Sequence, residues 1–413
     1  LGKLVFGLSL AAGALRLGQW QFENGLKVFG RQAESAQQAL DISLPYIAAG
    51  GMIGVTAGSF FSFAYLIIRY RRFGSGITKD ELALSPKPHT PGSIFRQLLK
   101  IAIPVALGTL ATELTTMIDV VSLQKSLAVV YNKNGDIIRE IYKNALAASN
   151  TNDVLAFLTG NRGIAMTFVN LVPNVTLTLG ISALPVITSA WALKDYSQLK
   201  KMVSTVLRIT IMISLPAGLG MSVLAKPILN LIYEPHNVAV AGPQLEILGL
   251  AVVFICLVAP VNAMLQAMGR ADVPAKIVLV GGAVKFIFNT VLIMNPHLNI
   301  LGAAYSTLIC YVVMVTLSIR ALIRIVKARL YWKSIFLKPL IGSILSSAAA
   351  WAANGLLSRF ISAKFSVIIA VFAAVVVYFW VLLSIKAIKR DDVLMLPKGE
   401  KIAKILEKYD WIG

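Results

Sequence analysis

The sequence predicts an all-α polytopic membrane protein of about ten transmembrane helices, and three observations predict it. Hydrophobic residues fill 57% of the 413 positions, charged residues only 14%, and mean hydropathy is +0.75, whereas soluble domains carry about 25% charged residues. The apolar residues fall in stretches of about 20, the length at which a helix crosses hydrocarbon with every backbone polar group bonded internally. Cations collect in every second connection between those stretches, as expected where cytoplasmic loops retain Lys and Arg.

The spans fall at 1–18, 43–68, 98–122, 164–190, 203–224, 244–267, 277–295, 301–323, 337–358 and 364–387. The first begins at Leu1 inside an apolar run, with no initiator methionine or signal n-region before it, so the chain reads as a fragment with its N-terminus missing. Arg69-Tyr70-Arg71-Arg72 with Lys79 and Lys87 follows the second span, and Lys194, Lys200 and Lys201 follow the fourth. Arg270 and Lys276 follow the sixth, Arg324, Lys327, Arg329 and Lys333 the eighth, and a Lys-rich tail the tenth. The opposite connections hold Asn, Gln, Pro and Glu, as in Glu234-Pro235-His236-Asn237. This pattern predicts a multi-pass membrane protein with its C-terminus in the cytoplasm.

Two connections are long. Phe73 to Ser93 is rich in Pro, Gly and Ser and reads as a cytoplasmic linker. Lys125 to Arg162 is polar and predicts a short outer helix over Asp136 to Ala148. In the tail, Ile402, Ile405, Leu406 and Tyr409 recur at helical period among lysines. That suits a helix on the anionic inner leaflet or a solvated terminal helix. An offset of 251 relates Gly51, Phe60, Leu66 and Arg69 to Gly302, Tyr311, Leu317 and Arg320, a six-span period implying two bundles of like orientation. The expected organisation is residues 1–72 as the remnant of an N-terminal lobe (two helices), 73–93 as linker and 94–324 as a six-helix C-terminal lobe. Residues 325–390 then supply two additional transmembrane helices and 391–413 an amphipathic cytoplasmic tail.

Several function classes are excluded. The net charge of +20 lies in short loops beside apolar spans rather than in a basic stripe, so no nucleic-acid partner is expected. Cys256 and Cys310 each sit inside a span and read as small hydrophobes. His89, His236 and His297 are scattered, so no metal site and no cofactor are predicted. The sequence contains no GxxxxGK[ST] loop, HExxH, nucleophile elbow or paired-Cys motif. The chain is therefore not read as an enzyme.

Leu99-Lys100-Ile101-Ala102-Ile103-Pro104-Val105, opening a helix that runs to Asp119, resembles the start of the second lobe in the MOP (multidrug/oligosaccharidyl-lipid/polysaccharide) exporter superfamily. Asn170-Leu171-Val172-Pro173 is similar too, as is Ile181-Ser182-Ala183-Leu184-Pro185-Val186. So are Leu215-Pro216-Ala217-Gly218-Leu219, Ala225-Lys226-Pro227-Ile228 and Val273-Pro274-Ala275-Lys276. The branch most similar is that of the polysaccharide and lipid-linked oligosaccharide flippases, SpoVB-like and MurJ-like. The resemblance implies a truncated two-lobe fold, helices 5–14 of fourteen, around a central cavity. It implies transport by alternating access of an undecaprenyl-diphosphate-linked sugar to the outer leaflet, for peptidoglycan, spore-cortex or surface polysaccharide assembly. Partners are then the lipid bilayer and that lipid, and the protein is expected to be monomeric. Phe168 stands where some members carry a cavity arginine, which favours the SpoVB-like branch.

Ionisable residues inside spans are functional candidates because each costs several kcal/mol in hydrocarbon unless paired or wet. Glu113 and Asp119 in span 3 and Lys285 in span 7 stand out. Lys285 lies about nine residues, roughly 14 Å, past the cytoplasmic end of its span, and Asn289 follows one turn later on the same face. In several members of the superfamily, acids and amides at such positions form a cation-coupling site. The Lys285 ammonium is expected to act as a tethered cation, bridging to Asp119 or Glu113 in place of sodium; an inert ion pair is the other reading. Arg162, at the mouth of span 4, and Arg208, one to two turns into span 5, are candidates for a diphosphate through forked hydrogen bonds, or anchor helix ends at the interface. Asn170, Asn174, Asn262 and Gln266 are candidates to line the cavity or to bond between helices. Pro104, Pro173, Pro185, Pro216 and Pro260 sit inside spans, where proline bends helices. The alternatives are a cation-coupled multidrug (MATE-type) antiporter and a membrane polysaccharide polymerase or ligase, the latter requiring catalytic residues in the outer loop.

Overall fold

The computed structural model describes residues 2–25, 27–74, 90–149, 151, 153–327, 333–394, 400, 404 and 411, which are almost wholly helical. The chain divides into two compact units, Leu1–Ser93 and Ile94–Gly413.

The first unit is an antiparallel pair, α1 (Gly2–Glu23) and α2 (Ala36–Phe73). Gly50, Gly54 and Gly58 recur one turn apart on α2 and lie against the α1 backbone. A Cβ on Gly50 would sit 2.9 Å from the Leu10 carbonyl oxygen, and one on Gly58 2.6 Å from Lys3 Cα. Only glycine permits that approach, which replaces side-chain packing with backbone contact as membrane helices commonly do. Ser35 caps α2 by accepting from Gln38 N at 3.2 Å. The outer faces of α2 carry exposed Met52, Phe60, Phe63, Tyr65 and Leu66.

The second unit contains α3 (Pro91–Ile141) from Ile94 onward, α4 (Lys143–Ser149), α5 (Val154–Ala192), α6 (Tyr196–Val223) and α7 (Ala225–Leu229). It continues with α8 (Pro235–Ala267), α9 (Asp272–Ile293) and α10 (Ile300–Val326). A π-helical turn (Lys333–Leu337) precedes α11 (Lys338–Leu357), α12 (Ala363–Ser384) and α13 (Arg390–Leu394). The strongly apolar α8 packs against α5, α6 and α10. One core joins Ile187, Leu207, Ile211, Leu257 and Leu322; another joins Val169, Leu229, Leu245, Leu248 and Cys256. Where α6 crosses α8, a Cβ on Gly218 would lie 2.6 Å from the Gly249 carbonyl oxygen, so the two backbones touch.

Among the described residues, eight helices are long and apolar enough to cross a membrane. The predicted spans 1–18 and 98–122 fall on α1 and α3 and include residues outside the described set; they are not among those eight. The predicted outer helix is largely the continuation of α3, kinked at Asn134 (φ −135°, ψ 35°), followed by α4. Leu123, Leu127, Val130 and Ile138 pack there with Val154, Leu158, Ile293 and Ile300 as a cap over one end of the bundle. Tyr142 donates to Asn299 Oδ1 at 2.7 Å and ties this cap to the start of α10. Pro173, Pro185, Pro216 and Pro260 lie within helices that continue past them. Most of the 73–93 linker and of the 398–412 tail lies outside the described residues, as does the Pro104 side chain.

Candidate functional site

Two adjacent glycines on α9 set the geometry of the site. A Cβ on Gly282 would stand 3.0 Å from Thr115 Oγ1, and one on Gly281 would collide with Met314, so α3 and α10 both approach α9 closely. Thr115 Oγ1 donates to the Val278 carbonyl oxygen at 3.5 Å, and Cys310 Sγ lies 3.2 Å from that of Gly281. One turn further along α9, Lys285 and Asn289 emerge on one face toward α3.

There Lys285 Nζ meets Asp119 Oδ2 at 2.8 Å, with the two side chains only 9% and 16% exposed. Asn289 Nδ2 donates to Asp119 Oδ1 at 2.8 Å and to Ser122 Oγ at 2.9 Å. Arg162 Nη2, from α5, stands 3.9 Å from Asp119 Oδ2 and donates to Thr307 Oγ1 on α10 at 3.1 Å. Residues of α9 and α5 thus converge on one α3 carboxylate, with α10 holding Arg162 from behind. At an effective dielectric of about 20, the gross attractions are about 6 kcal/mol at 2.8 Å and about 4 kcal/mol at 3.9 Å, before desolvation is subtracted.

Two cations face one carboxylate here, a net positive charge in an apolar bundle. Arg162 Nη1 and Asn289 Oδ1 are buried without a protein partner among the described residues. Buried polar groups are ordinarily satisfied, so the cluster retains donor and acceptor capacity for a small mobile species. A groove of about 790 Å³ between α3 and α9 reaches it: Ser122, which accepts from Asn289, also lines the groove beside Ile118, Lys125, Phe286 and Thr290.

Of the two acids left open by the sequence, the geometry selects Asp119. Glu113 is exposed on α3 and lies outside the cluster. Arg208 does not join the site, because its guanidinium fork holds Asp392 on α13 at 2.7 and 2.6 Å, and Lys389 N also donates to Asp392 at 2.9 Å. Asn170 and Asn174 are exposed one turn apart on α5. Asn262 on α8 is half-buried with its Oδ1 unpartnered, and Gln266 is exposed. Ser122, Thr307 and Asp392 were not anticipated. Hydroxyls are common in membrane helices and carry no signal of their own, whereas an acid within Lys389-Arg390-Asp391-Asp392 was a visible one.

Comparison with known proteins accords with this architecture. The MatE family model matches residues 160–291. Stage V sporulation protein B of Bacillus subtilis is 23% identical over 369 residues, 87% of this chain and 65% of that protein. An uncharacterized membrane protein of Methanocaldococcus jannaschii is 27% identical over 153 residues, 37% of this chain and 30% of that one. Among solved structures, the lipid II flippase MurJ in an inward closed conformation superposes with a TM-score of 0.56 at 14% identity, covering 91% of this chain and 65% of MurJ. That likeness is one of fold. The chain spans less than two thirds of the length of each of these relatives.

Proposed function

We propose that this chain, a member of the MOP exporter superfamily, carries the coupling centre of a flippase that moves a lipid-linked oligosaccharide or polysaccharide precursor to the outer leaflet by alternating access. The observation that carries the reading is the buried Asp119–Lys285 pair with Arg162 beside it. A lysine ammonium occupies the position against Asp119 that a coupling cation would take, so the pair closes without external sodium. The residual positive charge suits an anionic diphosphate headgroup better than a cationic drug. Exposed amides at mid-helix, Asn170 and Asn174, fit the wall of a wet cavity, since hydrocarbon would leave them unsatisfied. In this reading 1–72 belongs to the first lobe, 94–324 forms the second and 325–390 adds two helices. The protein lies in the plasma membrane as a monomer with its C-terminus cytoplasmic, and the sugar lipid serves cell-wall, spore-cortex or surface polysaccharide assembly.

The match of the MatE model to 160–291 favours a second reading, a cation-coupled drug antiporter. One assay separates the two. The full-length protein is reconstituted in liposomes with a fluorescent undecaprenyl-diphosphate sugar, and leaflet exchange is followed by chemical quenching. A flippase exchanges this lipid without a sodium gradient and loses exchange, or acquires sodium dependence, on Lys285→Ala. Normal exchange by Lys285→Ala under every sodium and proton gradient would end the tethered-cation reading. Efflux of a cationic dye without lipid exchange would establish the antiporter.

A further inference from the structure

Away from the Asp119 cluster, the crevice between α6–α7 and the α11–α12 hairpin combines a polar head with an apolar stem. At the end where α11 turns into α12, a pocket of about 220 Å³ is lined by Lys226 and Asn230, by Asn354 and Ser358, and by Lys364 and Val367. Directly along the same elements a second, almost wholly apolar cavity of about 420 Å³ is lined by Leu224, Ile228, Ala350, Val371, Ala374 and Tyr378. Lys364, Val367, Val371, Ala374 and Tyr378 step by three and four residues, so both cavities share one face of α12. Lys364 to Val375 rises about 16 Å, close to the ~15 Å depth of one leaflet.

The polar end is built to receive an anion. Lys226 and Lys364 bring two ammonium groups from different elements, and Arg359 is exposed in the intervening turn. One acid is nearby: Glu246 lies 3.4 Å from Lys226 on the exposed rim, leaving an excess of positive charge. Ser366 Oγ donates to Asn354 Oδ1 at 3.1 Å, which takes up the amide oxygen and leaves the NH₂ group as the free end. Ser362, at the start of α12, makes no side-chain cap bond, so the first N–H groups of that 22-residue helix add donors and a positive dipole end. The apolar end is closed by Tyr378, whose hydroxyl is satisfied by the Met212 carbonyl oxygen at 2.6 Å.

We infer that this crevice holds one anionic glycerophospholipid, its phosphodiester between Lys226 and Lys364 and an acyl chain along the groove toward Tyr378. Charge complementarity selects an anionic over a zwitterionic headgroup, and the apolar stem selects a lipid over free phosphate. The bound lipid bridges α6–α7 to the α11–α12 hairpin. The site is independent of the transport reading, because its occupancy is measured by binding.

The test is native mass spectrometry of the full chain in detergent, titrated with phosphatidylglycerol, phosphatidylcholine or inorganic phosphate. One phosphatidylglycerol is expected to be retained, with phosphatidylcholine at least tenfold weaker and millimolar phosphate failing to displace it. The pair Lys226→Gln/Lys364→Gln changes only exposed side chains and should weaken phosphatidylglycerol at least tenfold. Val371→Trp, placed at an exposed groove position, should weaken it with the lysines intact. Equal retention of the two lipids, displacement by phosphate, or unchanged binding in either variant overturns the inference.

Discussion

Replacing Lys285 with methionine keeps the length of the side chain and deletes its ammonium, which isolates the charge. In the wild type that group sits 2.8 Å from Asp119 Oδ2 with both partners largely buried. Removing one member of a buried ion pair costs about 3–5 kcal/mol, because the other charge stays uncompensated. Arg162 remains 3.9 Å from the same oxygen, which places the expected loss near the lower end, about 3 kcal/mol. For a unit of this size that lowers the apparent melting temperature by roughly 4–5 °C. The vacated position keeps the Asp119 carboxylate, an oxygen ligand already oriented by its bond from Asn289 Nδ2. Hard cations prefer such ligands, so sodium should bind the variant, and at about 100 times its Kd it returns about 2.7 kcal/mol. The assay is thermal unfolding in detergent at a fixed scan rate, with sodium exchanged for a large organic cation at constant ionic strength. Sodium should raise the melting temperature of Lys285→Met and leave the wild type unmoved. A variant as stable as the wild type, or one indifferent to sodium, refutes the idea that the ammonium fills a cation's place.

Three further outcomes are expected. Gly249→Ala puts a methyl group 2.7 Å from the Gly218 carbonyl oxygen and from Ser222 N, so it should cost about 1–3 kcal/mol by overpacking, read as a lower melting temperature. A double-mutant cycle on Arg208→Met and Asp392→Leu should give single losses of about 3–5 kcal/mol that largely disappear in the double variant; additive losses would mean that the fork at 2.7 and 2.6 Å carries no coupling. Burial pushes the Tyr142 phenol up to about 12, against the opposing effect of its bond to Asn299. The neutral phenol is thus favoured in the fold, and its contribution, on the order of 2–3 kcal/mol, is intact below pH 10 and lost as pH rises toward 12. Phenolate absorbance and melting temperature followed over that window in wild type and Tyr142→Phe should differ, and superimposable curves would remove Tyr142 as the tie of the outer cap.

Much of the architecture could be read from the sequence because hydrocarbon imposes a one-dimensional rule. A helix must stay apolar for about 20 residues to cross it, and that length stands out in any window. The rule misled where other forces hold a helix together. Residues 123–141 looked like a polar connection, yet Leu123, Leu127, Val130 and Ile138 recur at helical spacing and bury into the outer cap, so α3 continues well beyond the membrane.

Candidate polar residues were equally visible, since an ionisable side chain in a membrane span is rare and costly. Their partners were not. Glu113 and Asp119 lie six residues apart on one helix with nothing local to rank them, and only the close approach of α3 to Gly282 places Asp119, rather than Glu113, against Lys285. Arg208 resembled a cavity cation until a carboxylate 184 residues away closed on it. Hydropathy and charge bias act along the chain and so can be read from residue order alone. Which side chains meet depends on how closely the helices approach and at what rotation, and that is decided by glycine contacts and core packing between segments far apart in sequence.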